Sequence, residues 1–159
     1  MSAVAFPVRA ASGHKANPPE DSFLRVGYQK TPTNPRGYHW GVDIDREDFN
    51  APSISDWIIQ LPEKAKLIDK GYDDEGAGYW MEWQFLVGPW KGRYGRFFHM
   101  SRKCGFPIGT VRTRGFAAGR VGSTGHSTGA HLHFELAKTR WDKGRDPRWN
   151  PTQAFRDAV

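Results

Sequence analysis

The stretch "GSTGHSTGAHLHFEL", Gly122 to Leu136, places two histidines one residue apart, between a glycine-rich turn and an apolar run. On an extended strand, residues two apart point to the same face, with Cα atoms about 6.6–7 Å apart. His131 and His133 are therefore expected to project side by side. Leu132 and Phe134 would turn to the opposite face, towards a core. Such a histidine pair can hold one metal ion, or one ring can bind metal while the other contacts a substrate.

The rest of the chain predicts a single, mainly antiparallel β domain over residues 1–159, which is long enough to bury a core. The predicted strands lie in "YHWGVDID", "WIIQL", "AKLIDKGY", "GYWMEWQFLVG", "YGRFFHMS" and "HLHFELA". Pro62 separates "WIIQL" from "AKLIDKGY", and this favours two short strands and a turn over one helix. Residues 1–37 are predicted to be loop-rich. "NPTQAFRDAV" predicts a short C-terminal helix, with Asn150 as its N-cap.

Composition and charge narrow the classes of partner. The net charge is +6, from 23 Lys and Arg against 17 Asp and Glu. Such a charge suits nucleic acid, an anionic membrane or a bacterial wall polymer, but no nucleic-acid-binding motif accompanies it. Cys104 is the only cysteine, so an intramolecular disulfide is excluded. No segment resembles a secretory signal or a membrane span, and we expect synthesis in the cytoplasm.

Partners for the histidine pair occur in "HWGVD". His39 and Asp43 are four residues apart, a spacing that puts them on one face of either a strand or a helix. Together with one of the later histidines they form a set of two imidazoles and one carboxylate. Catalytic zinc typically has three protein ligands and leaves its fourth position to water. The same set also suits the iron of non-haem Fe(II) oxygenases.

Other readings of these residues explain less of the sequence. "GHSTG", Gly125 to Gly129, matches the nucleophile elbow of α/β-hydrolases, but too little chain follows it for the remaining triad residues. Cys104 with His131 could form a thiol peptidase dyad, although its context "SRKCGFP" carries no supporting pattern. A basic, non-catalytic module that binds wall polymer or nucleic acid would explain the charge but not the ordered set of histidines and aspartate.

Three motifs, "HWGVD", "FFHMS" and "GRVGSTGHSTGAHLHFEL", resemble in their order the M23 family of peptidoglycan metallo-endopeptidases, of the lysostaphin and LytM type. The resemblance extends from roughly Gly27 to Ala137 and implies the LytM-like antiparallel β fold. It further implies a set of zinc ligands and a catalytic histidine pair. The zinc ligands would be His39, Asp43 and His133, and the catalytic pair would be His131 and His99.

The resemblance predicts a zinc-dependent endopeptidase that cleaves peptide bonds in bacterial cell-wall peptidoglycan. A chain without a signal peptide or a wall-binding domain fits a phage endolysin, which reaches the wall through a membrane lesion. We expect a monomer that does not bind nucleic acid and has no membrane span. His14, His126 and Cys104 have no assigned role.

Overall fold

The computed structural model describes residues 4–9, 24–26, 41–45, 53–141, 148–149 and 155. Within these ranges the chain forms strands in two sheets, and all the strand pairs are antiparallel, as the sequence predicts. Most of the predicted loop-rich N-terminus and, apart from Phe155, the predicted C-terminal helix lie outside the described residues. No helix in the described ranges is long and apolar enough to cross a membrane.

Within the described ranges the larger sheet has eight strands, and it carries the motifs "FFHMS" and "HLHFEL". Seven strands follow one another in space, and the eighth pairs with the end of "HLHFELA". In spatial order these are β2 (Leu24–Val26), β3 (Val42–Ile44), β10 (Leu132–Ala137), β7 (Tyr94–Met100), β6 (Gly78–Phe85), β5 (Ala65–Asp73) and β8 (Val111–Arg112), with β11 (Arg148–Trp149) beside β10.

The smaller sheet, in the part of the chain that the structure describes, has three strands: β1 (Val8–Arg9), β4 (Ile58–Gln60) and β9 (Ala117–Arg120), with β4 in the middle. The structure confirms that "WIIQL" and "AKLIDKGY" form two strands. They join different sheets, because the turn at Pro62 ends β4 and β5 begins in the larger sheet. β5 extends for nine residues and is longer than predicted.

The hydrophobic core contains side chains from both sheets. Leu132 and Phe134 of β10 are fully buried, as their alternation predicts, and Ile59 of β4 belongs to the same cluster. Each such apolar side chain contributes about 1.5–3 kcal/mol by leaving water. The outward residues of β10, His133 and Glu135, consequently stand on the opposite face of a rigid strand.

Candidate active site

The register of β10 against β3 brings two of the predicted zinc ligands together. His133 pairs directly with Asp43, and the His133 Nδ1 atom lies 2.9 Å from Asp43 Oδ1. His131, just before β10, has its Nε2 atom 3.8 Å from the same carboxylate oxygen. The predicted clustering is therefore present for these three residues. His39, the third predicted ligand, lies outside the described residues, as does His14.

His99 reaches this cluster through an irregularity in β7. Simple alternation would turn His99 towards the core together with Phe97. Between the pairs Tyr79–Met100 and Met81–Phe97, however, the register of β7 shifts against β6. His99 there has a φ of 63°, a left-handed conformation that costs a residue other than glycine about 1–3 kcal/mol. The bulge points His99 at the site, with its ring 4.7 Å from that of His131.

The glycine-rich turn before β10 fixes the rings of His99 and His131. His99 Nδ1 lies 2.8 Å from the carbonyl oxygen of Thr124, and His131 Nδ1 lies 2.7 Å from that of Gly129. A carbonyl only accepts hydrogen bonds, so each Nδ1 atom must carry the proton. In the neutral rings the Nε2 atoms are then free to accept a proton.

The turn itself is held tightly against β6 and β7. The Thr124 hydroxyl donates to the Met100 carbonyl at 2.6 Å and accepts from the Tyr79 amide at 3.0 Å. Gly125 has a φ of 73°, and a Cβ there would overlap the backbone of Gly78. The sequence "GSTG" thus serves as a close-packed support for His99 and His131.

The protonation of His99 follows from its surroundings. Burial lowers the pKa of His99 to about 4, and repulsion from a charged His131 acts in the same direction. At neutral pH the ring is therefore uncharged, which is the form that can take up a proton.

His133 lies between two carboxylates. Its Nδ1 atom bonds Asp43, and its Nε2 atom lies 3.2 Å from Glu135 Oε1. Burial disfavours the charged ring, but the hydrogen bonds to Asp43 and Glu135 outweigh burial and raise the pKa of His133 to about 9. The ring also stacks on Phe98, at 5.4 Å between centroids, so its orientation is fixed from three sides.

The Asp43–His133 pair fits a zinc ion. Two ligands at 2.0–2.1 Å from a tetrahedral zinc lie about 3.3 Å apart, and the observed separation of Nδ1 and Oδ1 is 2.9 Å. A few tenths of an ångström of widening would let a metal replace the shared proton. Among the described residues no group of three or more His, Cys, Asp or Glu side chains is arranged to hold a metal ion, and His39, the predicted third ligand, lies outside them.

A buried ion-pair chain behind His133 was not predicted from the sequence. Arg96 donates from Nε to Glu82 at 2.9 Å and from Nη1 to Glu135 at 3.3 Å. The arginine side chain is fully buried, and burial raises the pKa of Glu82 even though Arg96 opposes it. Two signals could have revealed the chain: Glu135 shares a strand face with His133, and an arginine inside an apolar strand needs a partner.

The structure also shows the surroundings of Cys104 and Ser127, which would be the nucleophiles of a thiol peptidase and of an α/β-hydrolase. Cys104 is buried, and burial raises the pKa of its thiol, whereas a catalytic thiol needs a lowered one. The Ser127 hydroxyl donates to the Gly129 carbonyl at 2.9 Å, within the same turn. The Ser127 hydroxyl also lies 3.3 Å from His131 Nδ1, but that nitrogen carries its proton for the Gly129 carbonyl and cannot take one from the serine.

Comparison with known proteins identifies the architecture. No protein-family model and no curated protein matches the chain, but solved structures do. The catalytic domain of the antimicrobial peptidase lysostaphin from Staphylococcus simulans is 21% identical, with a TM-score of 0.67 over 86% of this chain and 94% of that one. The catalytic domain of the prophage-encoded M23 protein EnpA from Enterococcus faecalis is 24% identical, with a TM-score of 0.63 over 92% and 95%.

A third similar structure is larger. A zinc-containing peptidase from Vibrio cholerae is 19% identical, with a TM-score of 0.59 over 86% of this chain but only 36% of that one. At these identities the comparisons establish the fold. They confirm the predicted lysostaphin-like architecture.

Proposed function

We propose that this chain, which has the lysostaphin-type fold of the M23 peptidases, is a zinc-dependent endopeptidase that hydrolyses peptide bonds in bacterial peptidoglycan. One observation carries the proposal: the Asp43–His133 pair is in contact at 2.9 Å, and the rings of His99 and His131 adjoin it. Two acid–base histidines next to a carboxylate–imidazole ligand pair suit metal-assisted hydrolysis.

In this proposal the zinc would be held by His39, Asp43 and His133. When bound, zinc supplies a Lewis acid and lowers the pKa of a coordinated water to about 7. Glu135 accepts a hydrogen bond from the other nitrogen of His133 and so orients that ligand, as partners of zinc-bound histidines commonly do.

His99 and His131 would move the proton and stabilise charge. Each has its Nδ1–H anchored on a backbone carbonyl, so Nε2 is the atom that meets the substrate. The neutral Nε2 of one ring can accept a proton and pass it to the leaving amine. The other ring, when protonated, can donate a hydrogen bond to the oxygen of the attacked carbonyl, where negative charge develops.

We also propose that the chain is a phage lysis enzyme that acts on the wall as a monomer, after a membrane lesion gives it access. Support for the phage role comes from the prophage-encoded EnpA protein among the similar structures. The five proposed site residues all come from this chain, so the proposed chemistry needs no residue from a second copy.

The iron oxygenase reading is less favoured. It would use the same two histidines and one aspartate but would leave His99 and His131, both held in position by hydrogen bonds, without a role. A non-catalytic binding module would likewise not require the strained conformation of His99.

The proposed function is tested by digesting purified cell walls and measuring the new chain ends. A peptidase releases new amino groups and no reducing sugar ends, and a metal chelator should stop the release. Reducing ends would indicate a glycosidase instead. Cleavage that persists in chelator but stops after thiol alkylation would point to Cys104 and contradict the proposal.

A further inference from the structure

Positive charge is concentrated in one part of the chain. Residues 83–134 contain eight Lys and Arg and no Asp or Glu, whereas the whole chain carries a net charge of only +6. All of these residues lie within the described part of the structure. A region of one sign attracts ligands of the opposite sign and raises their local concentration.

Three of these cations line a pocket of about 380 Å³ between the loop after β7 and the strands β4 and β9. Its rim carries the charge, its wall includes apolar side chains, and no acidic residue lines it. We call it the basic pocket, and its defining residues are Arg102, Lys103 and Arg120 on the rim and Ile58, Met100 and Phe106 on the wall.

The pocket is held in shape by contacts that leave two of its cations uncommitted. Arg120 donates to the Asp56 carbonyl at 2.9 Å. The loop is fixed by Lys70, whose amine donates to the carbonyls of Cys104 at 3.1 Å and Phe106 at 2.6 Å. Arg102 and Lys103 are exposed, and no hydrogen bond or ion pair to either occurs among the described residues.

The basic pocket adjoins the candidate active site along the chain. Arg102 follows His99 by three residues, so their Cα atoms are at most about 11 Å apart. Arg120 precedes Gly122 by two residues, and Gly122 pairs with His131. A few residues of an extended peptide span this distance. A substrate held at the two histidines could therefore place a neighbouring branch in the pocket.

We propose that the basic pocket is a specificity subsite for a substrate branch made of a short aliphatic chain ending in a carboxylate. The proposal rests on the proposed peptidase function. Methylene groups suit the wall of Ile58, Met100 and Phe106, and the rim cations would bind the carboxylate through charge-assisted hydrogen bonds. A cavity of this size accepts one side branch rather than a length of polyanion.

The test compares one preparation of purified wall before and after its free carboxylates are converted to carboxamides. Walls are first stripped of other anionic polymers by acid extraction. We expect amidation to lower the kcat/KM of the wild-type protein about tenfold or more, the scale for losing one hydrogen bond to a charged group. The Arg102→Ala/Lys103→Ala double variant should cut both substrates at the rate at which wild type cuts amidated wall.

Lys91→Ala is the matched control, because Lys91 is an exposed cation in the turn between β6 and β7. It should keep the wild-type preference for the unmodified wall. A double variant that retains this preference, or that slows on both substrates by the same factor, would overturn the subsite. The subsite would also be overturned if the only defect of the double variant were weaker binding to unstripped walls. That result would indicate docking to a wall polyanion instead.

A second measurement separates failure of the subsite from failure of the proposed function. Glutarate and its diamide are titrated into the protein while the methyl resonance of Met100 is followed by NMR. The subsite predicts a saturable shift with glutarate, little with the diamide and none in the double variant. This result would support the subsite even if no wall were cleaved. Equal shifts with both probes would contradict the subsite and leave the peptidase proposal intact.

Discussion

The two faces of β10 show how one strand serves both folding and chemistry. On one face Leu132 and Phe134 are fully buried among apolar side chains. On the other, His133 and Glu135 are mostly buried and are held by hydrogen bonds and ion pairs, together with the stacking of His133 on Phe98. The first face stabilises by removal from water, whereas the second must satisfy each charge it buries.

Substitutions on the two faces of β10 are therefore expected to have different effects. Truncation on the apolar face removes stability and leaves the chemistry of the surviving folded molecules intact. Truncation on the polar face removes chemistry first. The contrast can be tested with neighbouring residues, whose substitutions share the same strand and differ only in direction.

The largest effect is expected for His133→Ala. It should abolish wall cleavage, because the substitution deletes a proposed zinc ligand. Phe134→Ala, its neighbour, should instead lower the free energy of unfolding by about 3–5 kcal/mol, the usual cost of removing a buried phenylalanine ring. Chemical denaturation and turnover per folded molecule measure the two quantities. Near-normal turnover in folded His133→Ala would erase the distinction between the faces.

Next in size are His131→Ala and His99→Ala. Each should lower turnover by about 10²–10⁴-fold, the usual contribution of general acid–base groups. Zinc content should stay unchanged, because in the proposed mechanism these rings would meet the substrate through Nε2 and would not belong to the ligand set. Single-turnover kinetics on a purified wall fragment provide the rate. Variants with unimpaired rates would remove His99 and His131 from the mechanism.

A smaller effect is expected for Glu135, which contacts the proposed zinc ligand His133. Glu135→Gln should weaken zinc binding about 10–100-fold, as loss of a carboxylate behind a metal-bound histidine commonly does. Glu82→Gln, at the far end of Arg96, is the matched control and should weaken it less, because Arg96 and Glu135 both lie between Glu82 and His133. Competition with a chelating dye measures both affinities. Equal affinities in the three proteins would show that the ion-pair chain is purely structural.

The last effect concerns pH in the zinc-free protein. The pKa of His133 is raised from 6.5 to about 9, so the folded state holds this proton more tightly than the unfolded state does. The resulting stabilisation is fully present below pH 6.5 and is lost as pH rises through about 9. Denaturation midpoints of the metal-free protein should fall across this window. The midpoint of His133→Ala should fall less across the same window. Identical pH profiles for the two proteins would contradict the position of His133 between the carboxylates of Asp43 and Glu135.

The sequence predicted what depends on alternation and composition. The strand of "HLHFEL" and the burial of Leu132 and Phe134 follow from a period of two. Asp43 was grouped with the later histidines by the chemistry of a two-imidazole, one-carboxylate set and by the family resemblance. His99 was assigned from the family resemblance, and its place depends on a bulge and a left-handed φ that alternation would not predict.

The unpredicted features depend on long-range pairing. Arg96 contacts Glu82 and Glu135 only because β6, β7 and β10 are neighbours in the sheet. The order of strands in a sheet cannot be predicted from any single segment of the sequence. The basic pocket likewise combines a loop with two strands of the smaller sheet. The assignment of His39 as a ligand stays a prediction.

The decisive measurement for the proposed metal site is the zinc content per chain of the wild type, His131→Ala and His133→Ala. We expect about one zinc in the wild type and in His131→Ala, and none in His133→Ala, with all three proteins folded. Zinc retained by His133→Ala and lost from His131→Ala would reverse the roles of the two rings. The absence of tightly bound zinc from all three would contradict the metal site itself.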